Sequence, residues 1–357
     1  MRSSDQRRLD LTYDAARHRF LDAAVAAGAR VESHPHPARG REGEALAIDV
    51  ATVGPDDADD VVLIVSGTHG VEGYAGSALQ SWWLETHADP SIRIVFVHGL
   101  NPVGFSWVRR VNEDNVDLNR NFVDWEQPPP PNRGYGDLAD LLVPTSWDDE
   151  TQQATTHALL ERAAEIGMDG LQQAVSGGQY AHPDGLFYGG TGPVWSHRWL
   201  TDHLDRVIGP CARLVVVDLH TGLGPWGHGE LISTDRADSD AYRRGTDWWG
   251  DVRSMLDGAS VSAELSGDWL QAIPQLAPGR EVTAIAIEYG TVDMVTVLQS
   301  LRADAWLHAH GDPTEATAAA IRDQVRHAFV DDDPAWLATI IDRFDDVVGQ
   351  AIRALTD

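Results

Sequence analysis

Short runs of Val, Ile and Leu recur along the 357-residue chain, each closed by glycine or a polar residue. Val61-Val-Leu-Ile-Val65, Ile92-Arg-Ile-Val-Phe-Val97, Arg213-Leu-Val-Val-Val217 and Val282-Thr-Ala-Ile-Ala-Ile287 are the clearest. Continuous apolar runs of this length fit strands covered on both faces. They predict strands over 61–66, 92–97, 213–218 and 282–288, with another at 44–53. Between them, apolar residues fall at helical spacing. Residues 9–28 place Tyr13, Ala16, Phe20, Ala24 and Ala27 on one face. The segment from Gly73 to Glu85 turns Leu79, Trp82 and Trp83 inward, residues 149–167 form a further helix, and helix dominates after 315. Strands alternating with helices predict an α/β fold: a single-domain α/β/α sandwich around a mixed, largely parallel sheet. Acidic Pro55–Asp60 reads as a turn and the tetraproline at 128–131 as a surface loop. The aromatic, glycine-rich stretch 179–190 reads as an ordered loop over the core.

Hydrophobic residues make up 43% of the chain, enough for a sizeable core. Candidate site residues lie on strands far apart in sequence, and one site drawn from all of them argues for a single domain. The expected unit is residues 1–357, with a motif-bearing core over about 44–300 and C-terminal helices over about 315–355. The formal charge is -28, and the 27 basic residues, all arginine, face 55 acidic ones. Such a balance argues against a nucleic-acid partner or an anionic membrane, and it leaves oligomeric state open. Cys211 is the single cysteine, which excludes a disulfide framework and a cysteine-based zinc site. No apolar leader segment follows Met1, and no run reaches the roughly 18 apolar residues of a membrane span. A cytoplasmic protein is the expectation.

The chemistry concentrates where strands end. In Ser66-Gly-Thr-His69-Gly-Val-Glu72, an imidazole and a carboxylate stand three residues apart where a strand gives way to a helix, placed to grip one divalent metal from one side. Asp218-Leu-His220-Thr-Gly222 offers a second imidazole. Catalytic zinc sites use three such ligands and keep one position for water, which the metal acidifies toward neutral pH. Taken singly, a histidine beside a strand is more often structural; the set together points to a metal. Arg110, Asn119 and Arg120 supply planar donors suited to a substrate carboxylate or a developing oxyanion, or else form a salt-bridge cluster in an acidic protein. Asp117 is placed to orient a histidine ligand. Glu288 ends an apolar strand, where partial desolvation raises its pKa and fits it for general-base work; the competing reading is a core ion pair with an arginine. Tyr188, Trp226 and His228 sit in loops that would wall a pocket and are candidates for substrate contact, with loop packing as the alternative. No Gly-x-Ser-x-Gly elbow or Walker-type loop is present in the sequence.

His69-x-x-Glu72, Arg110 followed by Val116-Asp-Leu-Asn-Arg-Asn-Phe122, Asp218-Leu-His220-Thr221 and Glu288-Tyr-Gly-Thr291 occur in that order. The series resembles the zinc carboxypeptidase superfamily, which includes carboxypeptidase A-like peptidases and the succinylglutamate desuccinylase/aspartoacylase deacylases. It is most similar to a bacterial branch with no well-defined substrate, over roughly residues 60–292. The resemblance implies one zinc ion on His69, Glu72 and His220, with Glu288 as general base and then acid. It implies that Arg110 polarises the scissile carbonyl, that Asn119 and Arg120 clamp a carboxylate, and that Asp117 supports His69. The chain departs from the peptidases in its short Glu72–Asn119 spacing, as in the deacylases. It also lacks an assignable mobile tyrosine, since Tyr242 is the only tyrosine between His220 and Glu288. The implied activity is zinc-dependent cleavage of an amide bond beside a free carboxylate, in a small peptide or N-acyl amino acid. An esterase or deacylase of a small metabolite, and a non-catalytic binding module on the same fold, are the rivals.

Overall fold

The computed structural model describes residues 7–87, 90–257, 260–262 and 265–356. Residues 1–6, where the expectation of no leader begins, lie outside them. Eight strands form one sheet: β1 (Arg30–Arg39), β2 (Ala45–Val53), β3 (Asp60–Ser66), β4 (Arg93–His98), β5 (Arg213–Trp226), β6 (Gly229–Ser233), β7 (Val252–Ser254) and β8 (Glu281–Gly290). Their order is β1-β2-β4-β3-β5-β8-β6-β7. The centre is parallel, with β3 between β4 and β5, and β5 between β3 and β8. β1–β2, β2–β4 and β6–β8 are antiparallel, so the sheet is mixed.

The helices are α1 (Tyr13–Ala26), α2 (Gly73–Thr86), α3 (Pro102–Trp107), α4 (Arg133–Gly136), α5 (Ala139–Leu142), α6 (Asp149–Ile166) and α7 (Met168–Ser176). They continue as α8 (Trp195–Ile208), α9 (Asp240–Trp249), α10 (Trp269–Leu276), α11 (Met294–His310), α12 (Thr317–Phe329) and α13 (Pro334–Thr356). Side chains along a strand alternate between faces, and the two cores follow that alternation. Val62 and Ile64 join α1, α2 and α13 through Phe20, Leu79 and Phe344. Val61, Leu63 and Val65 join α8 and α10 through Leu200, Leu204 and Ile273. Helices therefore cover both faces of the sheet. No helix among the described residues is long and apolar enough to cross a membrane.

Three differences separate the structure from the sequence pattern. β1 contains Pro35 and Pro37 and carries a register shift between Pro35 and Arg39; proline is tolerated at a sheet edge, where β1 lies. β5 runs on through Gly222 and Gly224 to Trp226 by way of a register shift against β8, so His220 sits inside the strand rather than at its end. β1, β6, β7, α3 to α5 and α7 to α11 have no counterpart among the predicted elements.

Candidate metal centre and its cavity

Three adjacent strands deliver the central residues. β3 ends at Ser66, and Gly67 (φ +70°) turns the chain so that His69 precedes a 3₁₀ turn, Gly70–Glu72, that runs into α2. Pairing of β3 with β5 stops at Leu219, one residue before His220. In the next strand Glu288 lies directly beside His220. The 3₁₀ turn is held by backbone: Gly70 and Val71 donate to the carbonyls of Arg110 and Arg109 at 3.1 and 2.8 Å.

His69 Nδ1 lies 2.9 Å from Glu72 Oε1, His220 Nδ1 lies 2.9 Å from Glu72 Oε2, and the two Nδ1 atoms are 3.1 Å apart. Behind them, His69 Nε2 meets Asp117 Oδ1 at 3.2 Å and His220 Nε2 meets Asp218 Oδ2 at 2.8 Å. A ring that donates its Nε2–H to a carboxylate turns the Nδ1 lone pair inward. Two such lone pairs and a carboxylate, all buried, repel one another unless a proton or a cation lies between them. The donor set therefore fits a divalent ion, and zinc takes imidazole and carboxylate ligands in this combination. The same crowding perturbs the side chains. Burial opposes the charge on His220, but Asp218 and Glu72 outweigh it and hold its pKa well above the usual range. Burial likewise opposes ionisation of Glu72, yet His69 and His220 hold its carboxyl far below the ordinary value. For Glu288, burial and then the Glu72 charge push the pKa up to about 7.

Asp117 is a junction. Its Oδ1 also accepts from Asn119 N at 3.0 Å, capping the 3₁₀ turn Leu118–Arg120, and its Oδ2 accepts from Arg110 Nε at 2.9 Å. Arg110 Nη1 reaches Glu72 Oε1 at 3.3 Å. Arg120 donates through Nε and Nη2 to the Ser176 carbonyl and through Nη1 to that of Asn119. Phe187 lies against both guanidinium groups, 5.3 and 5.4 Å from its ring centroid. Glu288 Oε1 accepts from Leu223 N at 2.9 Å. All of these except Asp117 and Glu72 line one cavity of about 180 Å³, which also exposes His69, His220 and Asp268.

Tyr188, Trp226 and His228 are not among the described residues lining that cavity. Tyr188 points into the core beneath α8 and α10, and its carbonyl accepts from Asp117 N; its neighbour Phe187 (φ 52°) occupies the cavity wall instead. Trp226 is 47% exposed and donates from Nε1 to Asp331. His228 is exposed on the turn between β5 and β6. Tyr242, on α9, donates its hydroxyl to the Val252 carbonyl. Sequence reasoning missed Asp218, which satisfies His220, Thr68 Oγ1 and Trp269 Nε1 together. Its two-residue spacing from His220 on a strand was the available signal, since such residues share a face. Nothing local marked Phe187 over Tyr188, or Asp268.

Residues 10–343 match the model of a family described as "Protein of unknown function (DUF2817)". No curated protein matches the chain. Among solved structures, it is similar to the product-bound ectoine utilization protein EutE (DoeB) of Ruegeria pomeroyi, at 15% identity and TM-score 0.38, covering 84% of this chain and 66% of that one. It is similar to a succinylglutamate desuccinylase/aspartoacylase of Rhodobacter sphaeroides at 13% identity and TM-score 0.39, covering 78% and 65%. It is also similar to the murein-tripeptide amidase MpaA of Escherichia coli O157 at 18% identity and TM-score 0.40, covering 80% and 93%. The chain thus spans about two thirds of the length of the first two.

Proposed function

The chain belongs to the DUF2817 family, and from that premise we propose, on the strength of its site, that it is a zinc-dependent hydrolase of amide bonds next to a free carboxylate. The supporting observation is the meeting of His69 Nδ1, His220 Nδ1 and the Glu72 carboxylate at one point, with both opposite Nε2 atoms on carboxylates. His69, Glu72 and His220 would hold the ion, which would supply a Lewis acid and acidify water.

The remaining steps belong to the protein. Asp117 and Asp218 keep both rings oriented and their Nδ1 lone pairs inward. Glu288 has one oxygen held by the Leu223 amide. The other takes the proton of the attacking water and returns it to the departing nitrogen. Burial raises the Glu288 pKa above the usual carboxylate range, which helps it hold the proton between the two halves of that transfer. Arg110 directs positive charge at the scissile carbonyl oxygen as it becomes negative. Arg120 has N–H groups beyond those on Ser176 and Asn119, and a guanidinium fork suits a carboxylate. Asn119 Oδ1 is buried without a hydrogen-bond partner, free to accept from a substrate N–H.

Glu288→Gln is expected to keep one equivalent of zinc and to lose turnover by about 10²–10⁴-fold, on a panel of dipeptides and N-acyl amino acids. His69→Ala and His220→Ala are expected to lose stoichiometric zinc by metal analysis. Full zinc retention in both histidine variants, or an undiminished rate in the Glu288 variant, would overturn the assignment.

A further inference from the structure

Beyond its polar end, the cavity is walled by α6, α7 and α11. Leu159, Leu171, Val175, Leu298 and Leu301 line it there, with Phe187 at the junction. At the rim stand Leu160, Met168, Met294 and Val295, which are 52%, 46%, 40% and 50% exposed. Isolated exposed apolar residues need no explanation, but four gathered at one cavity mouth do.

The polar side chains along this arm are already engaged. Gln299 Nε2 donates to Thr156 Oγ1 at 2.7 Å, and Gln299 Oε1 accepts from Arg302 at 2.8 Å. Gln172 Nε2 donates to the Val261 carbonyl at 2.8 Å. An extended peptide laid here would bury amide groups without partners, which is unfavourable. A saturated chain has no such groups. Extent points the same way: the lining runs on from the polar end past Phe187 to Leu159, Leu171 and Leu298 and out to the exposed rim, farther than an acetyl group needs.

We propose that the group on one side of the scissile bond is an aliphatic acyl chain, seated between α6, α7 and α11 and reaching toward the apolar rim, so that the substrates are medium- to long-chain N-acyl amino acids. This rests on the hydrolase reading above. Hydrolysis would break the C–N bond, adding hydroxyl to the acyl carbon and a proton to nitrogen, and release a fatty acid and an amino acid.

The test has two arms on the zinc-loaded protein. The first measures kcat/KM for acetyl, hexanoyl, octanoyl and dodecanoyl derivatives of one amino acid. A rise of about fourfold per methylene, the equivalent of about 0.8 kcal/mol, is expected until the arm is filled. The second measures binding of the corresponding free fatty acids by displacement of an apolar fluorophore. Leu160→Gln and Met294→Gln should reduce rate and binding by a factor that grows with chain length. Val25→Gln, at an exposed position on α1 outside the cavity lining, should change neither. Hydrolysis without chain-length dependence would overturn the acyl-chain inference and leave the hydrolase reading intact. Chain-graded binding without hydrolysis of any derivative would overturn the hydrolase reading, and with it the substrate assignment, leaving the arm as an acyl-binding site. A dimer in solution that Leu160→Gln dissociates, with flat chain-length profiles, would assign the rim to self-association and also overturn the inference.

Discussion

Asp268 shows how one residue can serve the fold and oppose it. Its Oδ1 caps α10 by accepting from Leu270 N at 2.8 Å. Burial, against the Leu270 amide and with help from Asp218, pushes its pKa from 3.8 to about 6. Between those values the unfolded chain gives up a proton that the folded chain keeps. Stability therefore falls as pH rises through that window, and the deficit is complete above about 6. The interval corresponds to about 3 kcal/mol at most. Asp268→Asn keeps the cap acceptor and removes the buried charge. Urea melts of the metal-free protein should show the variant more stable by up to about 3 kcal/mol at pH 8 and close to the parent at pH 4; an equal difference at both would show that ionisation is not the cause. At this scale the raised pKa of Glu288 was legible in the sequence, because a carboxylate near the end of an apolar strand covered on both faces is desolvated. Asp268 was not, because its burial comes from neighbours brought by β5 and the Leu118–Arg120 turn.

The elements that matter most for the site are short. A Cβ on Gly70 would lie 2.0 Å from the carbonyl carbon of Gly104, and one on Gly104 would lie 2.5 Å from the Val111 carbonyl oxygen. The 3₁₀ turn carrying Glu72 therefore rests backbone-to-backbone on α3, which also fixes the Arg109–Arg110 carbonyls that accept from it. Gly70→Ala is expected to destabilise the protein by about 1–3 kcal/mol through overpacking and to weaken zinc binding, because His69 and Glu72 flank the displaced residue. Chemical denaturation and a zinc titration check this; undiminished zinc affinity would show that the contact with α3 does not position the ligands. In the sequence Gly70 reads only as the close of a strand, since its partner is 34 positions away.

Across the molecule, α13 braces the site from the far side of the sheet. Trp336, Ile340, Ile341, Phe344, Val347 and Val348 are fully buried in the larger core. Trp336 Nε1 donates to the Gly290 carbonyl at the end of β8, and Trp249 Nε1 donates to Val347 O. With one sheet and one helix joining its parts, we propose that the chain unfolds as a single unit. Thermal melts should show one transition, and a chain ending at Asp333 should lack a cooperative melt by circular dichroism. A truncated protein that melts cooperatively and binds zinc would contradict this.

The amino-acid pattern alone determined the central strands, the first helix and the residues offered as ligands, because apolar runs and the His-x-x-Glu spacing are local properties. Only the tertiary structure decided that Asp218 stands behind His220, that Phe187 rather than Tyr188 faces the cavity, and that α6, α7 and α11 wall an apolar arm. Those outcomes depend on which distant segments meet, and strand alternation and helix faces acquire an inside only once the sheet has been assembled.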